Sequence, residues 1–490
     1  MKSIAKSIAA IVLAAVILIT TAMPVMAGDI PYQGFVHDSW GITVPTPAAY
    51  IPTRSVGALD IDASLGNWVE PSDIRVDINN NIYLLDTGNN RIVVFDAELN
   101  LIRVIDGFVR DGVWETFYAP AGMFINADLE LFIADTNNRR VVMLDQYGGF
   151  IRTLENIVID EIEDTFDFLP QQVLEDRGGR IYVIVRNVFE GIMGFTPEGE
   201  FLGYFGSVAV HANPLDVLWR MFMTQEQRAR QRLFLPTEFI SMDIDEYGFI
   251  FATRRVQTRD DDAVMRLNPK GDNVIRNHTD LAIAGSLSFR TSGPFWGPSV
   301  FTDIVARPYG MFSALDSTRG RVYTYDSEGH LLYVISGVGN ILGMSRRPSA
   351  IEMLGDSILV LDQQRGQIIY FEPTHYGTLI NEASRLRYLD DEAGAVEKWR
   401  EIAELNDHFA LAQIGIGRSL LAAGDNASAM DYLRRGRDTH HYSIAFRRHR
   451  SDMMQAAANY VFTGGLVLVG VMIVSKIYKR VKTREAEVLS

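Results

Sequence analysis

A phrase recurs along this chain and constrains its fold more than any other feature. Residues 71–97 read PSDIRVDINNNIYLLDTGNNRIVVFDA, and residues 120–146 read PAGMFINADLELFIADTNNRRVVMLDQ. Laid together without gaps, they pair Pro71 with Pro120, Asp86 with Asp135, Thr87 with Thr136, Asn89 with Asn138, Arg91 with Arg140 and Asp96 with Asp145, each 49 residues apart. Self-similarity at a fixed period marks a repeat architecture. Weaker copies occupy residues 169–205, 235–275, 303–335 and 348–371. Each holds short runs of Val, Ile, Phe and Tyr alternating with polar residues and punctuated by Gly, Asn and Pro, the pattern of antiparallel strands and turns. Four short strands in each of six units predict a mainly β fold, a six-bladed β-propeller over residues 50–373. The last copy stops after three strands, at Phe371, and residues 50–59 read as an unpaired strand. The expectation is that residues 51–56 complete the last blade beside 365–371, which removes the exposed edges of an open sheet.

The repeated turn has its own chemistry. Asp and Asn tolerate positive φ and hydrogen-bond their own turn backbone. Arg91 reaches back to a carboxylate such as Asp86. Either these turns carry a ligand site or they build blades, and their repetition favours the second. The D-x-x-N-x-R turn, preceded by a Pro and a strand, resembles the NHL-repeat propeller family. The match is strong at Asp86, Asn89 and Arg91 and at Asp135, Asn138 and Arg140. It is fair at Asp316, Arg319 and Arg321 and at Asp362 and Arg365. The third copy has Val185-Arg186-Asn187 instead, and the fourth has Thr253-Arg254-Arg255.

The two ends bound the cellular setting. Lys2 and Lys6, an apolar run over 8–19 and then Val25-Met26-Ala27 fit a signal peptide at 1–27, with an uncleaved anchor as the rival reading. The chain has no cysteine, so it holds no disulfide, zinc–thiolate site or lipidated cysteine. Export without cysteine suits a bacterial cell-surface protein. Residues 456–477 read AAANYVFTGGLVLVGVMIVSKI, long enough to span a bilayer as one transmembrane helix. The C-terminal flank holds Lys476, Lys479, Arg480, Lys482 and Arg484, which fits a basic cytoplasmic tail at 478–490. Arg447, Arg448 and Arg450 on the other flank weigh against that orientation. The expected location is a single-pass cell-membrane protein, its bulk extracytoplasmic and its C-terminus cytoplasmic. The net charge of −15 argues against a nucleic-acid partner.

Over residues 379–450 the periodicity turns helical. At an offset of 34, Asp391 maps to Asp425, Ala395 to Ala429, Val396 to Met430 and Trp399 to Leu433. A 34-residue helix-turn-helix period resembles the tetratricopeptide repeat. About two repeats fit, serving either as a docking module or as a spacer above the membrane.

Two stretches interrupt the propeller. Residues 213–233 read as helical, with Leu215, Leu218, Phe222 and Met223 on one side. Residues 278–300 are rich in Gly, Ser and Pro. Long insertions in a rigid scaffold often carry function. Trp219, Phe295 and Trp296, with Arg254 and Arg255, are therefore the binding candidates. These aromatics either stack on a sugar or grip a partner, or else Trp296 covers the propeller. The histidines His211, His278, His330 and His375 are scattered, and no nucleophile elbow, phosphate loop or dinucleotide fingerprint occurs. No catalytic residue, metal ligand or cofactor is assigned. Asp167, Glu175, Asp243, Asp303 and Glu352 lie near blade strands where they can face the channel, and pairing with arginine or water is the expectation for most. The chain reads as an exported, membrane-anchored binding or scaffold protein whose partners are the membrane and envelope or transporter proteins. A metal-dependent propeller lactonase or lyase and a cell-envelope glycan receptor are the alternatives.

Overall fold

The computed structural model describes residues 30–38, 40–157, 166–206, 238–255, 262–275, 282–286 and 297–488. The expected signal peptide, the 213–233 insertion, and Trp219, Phe295 and Trp296 lie outside them. The chain divides into two compact units, Met1–Thr378 and Leu379–Ser490.

The first unit is a six-bladed β-propeller. Blade 1 is built from Asp73–Val76, Ile82–Asp86, Arg91–Phe95 and Leu101–Ile105, paired in that order. Blade 2 uses Gly122–Ile125, Leu131–Asp135, Arg140–Leu144 and Phe150–Leu154, and blade 3 uses Pro170–Glu175, Ile181–Val185, Ile192–Phe195 and Phe201–Phe205. Blade 4 has three strands among the described residues, Phe239–Ile244, Ile250–Arg254 and Val264–Leu267. Blade 5 comprises Phe301–Ala306, Phe312–Asp316, Arg321–Tyr325 and Leu331–Ser336. Blade 6 takes Pro348–Leu354, Ser357–Asp362 and Gln367–Pro373 from late in the chain, and its outermost strand is Tyr50–Gly57. That strand runs antiparallel to Gln367–Pro373, with Val56 opposite Ile368 and Ile51 opposite Glu372, so the ring closes as the sequence implied.

The first strand of each blade lines the central channel and packs against the first strands of both neighbours. The second strands are sandwiched between blades, and Ile82–Asp86, Leu131–Asp135 and Phe312–Asp316 are buried throughout. They read as nearly continuous apolar runs because both of their faces are covered. Outer strands such as Leu101–Ile105 alternate instead. Apolar clusters bridge adjacent blades: Ile82, Leu84 and Phe95 of blade 1 meet Leu359, Leu361 and Ile368 of blade 6. Tyr83, Leu85 and Ile92 meet Met123, Ile133 and Val142 across the seam between blades 1 and 2.

The repeated turn fastens each blade to the segment that enters it. Asp86 Oδ1 accepts from the Val69 amide (2.7 Å), while Oδ2 accepts from Asn89 Nδ2 and Arg91 Nε (2.8 Å each). Blade 2 repeats the set. Asp135 accepts from the Tyr118 amide (2.7 Å), Asn138 Nδ2 (2.8 Å) and Arg140 Nε (2.9 Å). The threonine beside each Asp reaches the next blade, with Thr87 Oγ1 donating to the Pro120 carbonyl (2.9 Å) and Thr136 Oγ1 to that of Pro170 (2.6 Å). In blades 5 and 6, Asp316 accepts from the Val300 amide (3.2 Å) and Asp362 from the Arg346 amide (2.8 Å). Asn90 (φ 54°) and Arg139 (φ 57°) hold the left-handed position of this turn, where Gly320 and Gly366 stand in blades 5 and 6. Asp86, Asn89, Arg91, Asp135, Asn138, Arg140, Asp316, Arg319 and Asp362 all stand in or beside these turns.

The second unit is helical. Helix α1 (His375–Tyr388) begins in the first unit, and α2 (Glu392–Leu405), α3 (Ala410–Ala422), α4 (Asn426–Gly436) and α5 (Thr439–Val488) follow. The 34-residue offset is visible in the caps. Asp391 accepts from the Gly394 amide (2.9 Å) and Asp425 from that of Ser428 (3.1 Å), each satisfying a first-turn donor. The equivalent Ala395 and Ala429, and Trp399 and Leu433, are all buried. Gly415 lets α3 pass directly over the Trp399 indole. From Thr439 to Arg480, α5 is long and apolar enough to cross a membrane.

Candidate functional site

Propeller geometry directs attention to the channel, where the free edge of every innermost strand presents unpaired backbone groups. Burying an amide without a partner costs about as much as losing a hydrogen bond. Carboxylates from the innermost strands meet that demand. Asp73 Oδ2 in blade 1 accepts from the Met123 amide of blade 2 (2.8 Å). Asp243 Oδ2 in blade 4 accepts from Ala306 of blade 5 (2.7 Å), and Asp303 Oδ2 in blade 5 from Ile351 of blade 6 (2.8 Å). Asp303 Oδ1 also accepts from Ser241 Oγ (2.6 Å). Asp73 and Asp243 each bond across one inter-blade seam and Asp303 across two, as rungs between adjacent staves.

One guanidinium sits among them. Arg75 is 5% exposed, and its Nε donates to the Met123 carbonyl (3.1 Å). Nε lies 3.4 Å from Asp73 Oδ1, and Nη1 lies 3.7 Å from Asp243 Oδ1 and 3.8 Å from Glu352 Oε2. Asp73 and Arg75 share the channel face because strand side chains alternate with period two. Burial disfavours the Arg75 charge, but the surrounding carboxylates of Asp73, Asp303, Asp243 and Glu352 outweigh it and raise its proton affinity. For the acids, burial outweighs the attraction of Arg75: the Asp303 carboxyl is pushed up to about 7 and that of Glu352 to about 8. Asp73 and Asp243 move in the same direction for the same reason. One positive charge cannot compensate four carboxylates, so the centre of the ring holds protons more tightly than free carboxylates would.

Of the five carboxylates singled out from sequence, Asp243, Asp303 and Glu352 converge here. Glu175 lies apart, accepting from Asn126 Nδ2 of blade 2 (2.8 Å), and Asp167 is on the surface beside Arg139 (3.1 Å). Sequence reading missed Asp73 and Arg75. The available signal was a charged pair, two residues apart, on an inner strand whose aligned partners in the second copy are Gly122 and Phe124. Among the described residues, no group of three or more His, Asp or Glu side chains is placed to hold a metal ion. A cleft of ≈ 200 Å³ opens between the turns of blades 4 and 5, lined by Asp245, Tyr247, Arg307 and Tyr309. Asp245 is engaged with Arg266 Nη2 (2.9 Å), and Arg307 with the hydroxyls of Tyr333 (2.6 Å) and Tyr50 (3.1 Å).

Arg254 ends the second strand of blade 4 and Arg255 follows it, on the face where the repeated turns lie in blades 1 and 2. Arg254 Nε donates to the Asp262 carbonyl (2.9 Å), and Arg255 is exposed. Second and fourth strands run the same way, so connections between blades leave from this face too. One such connection is a hairpin of Gly107–Arg110 and Val113–Thr116. It exposes Val109, Val113 and Trp114, with Tyr118 just beyond.

Residues 69–95, which enclose the first three strands of blade 1, match the NHL repeat. No curated protein matches the chain in sequence. Virginiamycin B lyase from Staphylococcus aureus aligns over 66% of this chain and 99% of its own, with 9% identity and a TM-score of 0.41. A streptogramin B lyase aligns over 67% and 100%, with 9% identity and a TM-score of 0.42. The extracellular domain of a putative one-component system from B. thetaiotaomicron covers 70% of this chain and 38% of its own, at 11% identity and a TM-score of 0.37. At such identities and scores these likenesses support no functional assignment to this chain.

Proposed function

We propose that this chain is an exported, membrane-anchored scaffold protein whose propeller binds envelope proteins, a transporter among them, outside the cytoplasm. The engaged side chains of the channel carry this reading. Asp73, Asp243 and Asp303 are bonded across blade seams, and Arg75 occupies the space among them and Glu352. Groups so engaged are poor catalysts, because a general acid or base must be within reach of a substrate. Recognition then falls to the outer surface. The connection face, with Trp114 and Tyr118 of the first hairpin region exposed, has the aromatic character that protein interfaces concentrate. In this reading α5 is the anchor, and the tail beyond it is cytoplasmic.

Photo-crosslinking in native membranes tests the assignment. A crosslinker replacing Trp114 should capture one envelope or permease protein reproducibly. The same group at Tyr147, in the strand 3–4 turn on the opposite face, should not. Equal capture from both positions, or metal-dependent turnover of a lactone by the purified protein, would overturn it.

A further inference from the structure

Helix α5 enters its apolar stretch through a segment unlike the rest. Arg447, Arg448 and Arg450 crowd it, with Asp452 the one carboxylate between residues 439 and 455. Residues three, four and seven apart share a helix face. Ala445, Arg448 and Asp452 form one side, turned toward α3 and α4. Ala445 is buried with Leu421, Ala429 and Leu433. Arg448 Nη1 donates to the Leu421 carbonyl (3.4 Å), and Asp452 accepts from Asn426 Nδ2 (2.8 Å). The opposite side carries Phe446, Arg447, Arg450, Met453 and Met454. All five are exposed, Phe446 by 45% and Met454 by 65%.

That mixture has a physical meaning so close to a membrane span. Apolar side chains beside arginines, on a face that nothing in its own unit covers, suit the boundary between water and hydrocarbon. At 1.5 Å rise per residue, Met454 stands about 3 Å and Arg450 about 9 Å before the apolar stretch that opens at Ala456. The headgroup layer is roughly 5–8 Å deep on each side of the hydrocarbon. Met453 and Met454 therefore fall within it, and the long arginine side chains reach its outer edge. The planar guanidinium pairs with phosphate oxygens through two parallel hydrogen bonds.

We propose that the Phe446/Arg447/Arg450/Met454 face of α5 binds the phosphates of anionic phospholipids in the adjoining leaflet. It seats the helical unit on the membrane surface. This inference rests on reading α5 as a membrane span. It also explains why arginines flank the span on the side opposite Lys476, Lys479 and Arg480: they are neutralised by lipid.

Native mass spectrometry of the full-length protein released from detergent tests this, with phosphatidylglycerol or phosphatidylcholine added. Wild type should retain phosphatidylglycerol in preference to phosphatidylcholine. Arg447→Gln with Arg450→Gln should lower that retention by on the order of tenfold. Arg447→Lys with Arg450→Lys should keep most of it, and Lys479→Gln with Arg480→Gln should leave this binding in place. Circular dichroism should be unchanged in all variants, because the altered side chains are exposed. Equal retention of the two lipids, or full retention by the double Gln variant, overturns the proposal. So does displacement by millimolar inorganic phosphate, which would reveal a free-anion site. A protein that stays monodisperse without detergent would instead refute the membrane span.

Discussion

At the residue scale, the chain uses carboxylates in two ways. Asp86 and its equivalents sit against an arginine and backbone amides at a blade turn. Removing Asp86 leaves the Val69 amide and Arg91 Nε without their acceptor. Asp86→Ala should cost about 3 kcal/mol in urea unfolding, whereas the exposed Asp128→Ala should cost almost nothing. The channel acids behave differently. Glu352 titrates near 4.5 when unfolded and about 8 when folded, and Asp303 moves from 3.8 to about 7. A carboxyl whose folded value is raised contributes stability that is fully present below its unfolded value and lost as pH rises through the folded one. Stability should therefore fall between about pH 5 and pH 8. Glu352→Gln should flatten that fall, read as melting temperature across the same pH series. An unchanged slope would show that Glu352 is not among the groups responsible. Asp73 and Arg75 escaped sequence reading for a plain reason. Their partners Asp243 and Glu352 are far along the chain, and only ring closure makes them neighbours.

At the scale of single elements, turn and cap chemistry was legible because it is local. The D-x-x-N-x-R phrase sets strand spacing through bonds that span few residues, and Asp391 and Asp425 announce two helices 34 residues apart. The middle strands were less transparent: covered on both faces, they lack the alternation expected of a half-buried strand. Blade 3 lacks the aspartate at its turn, where Val185-Arg186-Asn187 stands. The Arg186 amide donates to the Leu169 carbonyl (3.0 Å), as the Asn137 amide does to that of Tyr118 in blade 2 (3.2 Å), so this backbone bond persists where the side-chain phrase fails. The helical unit offers a sharp test at Gly415. Ala normally stabilises a helix by about 1 kcal/mol over Gly. Here the added methyl would meet the buried Trp399 ring, and overpacking costs about 1–3 kcal/mol. The clash should win. Gly415→Ala is expected to lower the melting temperature and perturb tryptophan fluorescence; a stabilised variant would show that α2 and α3 can part freely.

At the scale of the molecule, closure depends on one strand. Without residues 50–57, Gln367–Pro373 becomes an open edge, and open edges recruit other chains. A chain lacking residues 1–57 should oligomerise in light scattering and lose resistance to proteolysis between 348 and 373. A monomeric, protease-resistant product would mean that the ring does not need its clasp. The same strand orders events in time. Ser55 bonds Gln367 across 312 residues of sequence, and joining ends so distant costs roughly 5 kcal/mol of chain entropy. Five blades can form from neighbours soon after they appear. The sixth must wait for both ends of the propeller, so the first blade strand made is the last one used. Folding should thus show a fast phase for blade formation and a slower one for latching, and the latched state should resist unfolding from either end.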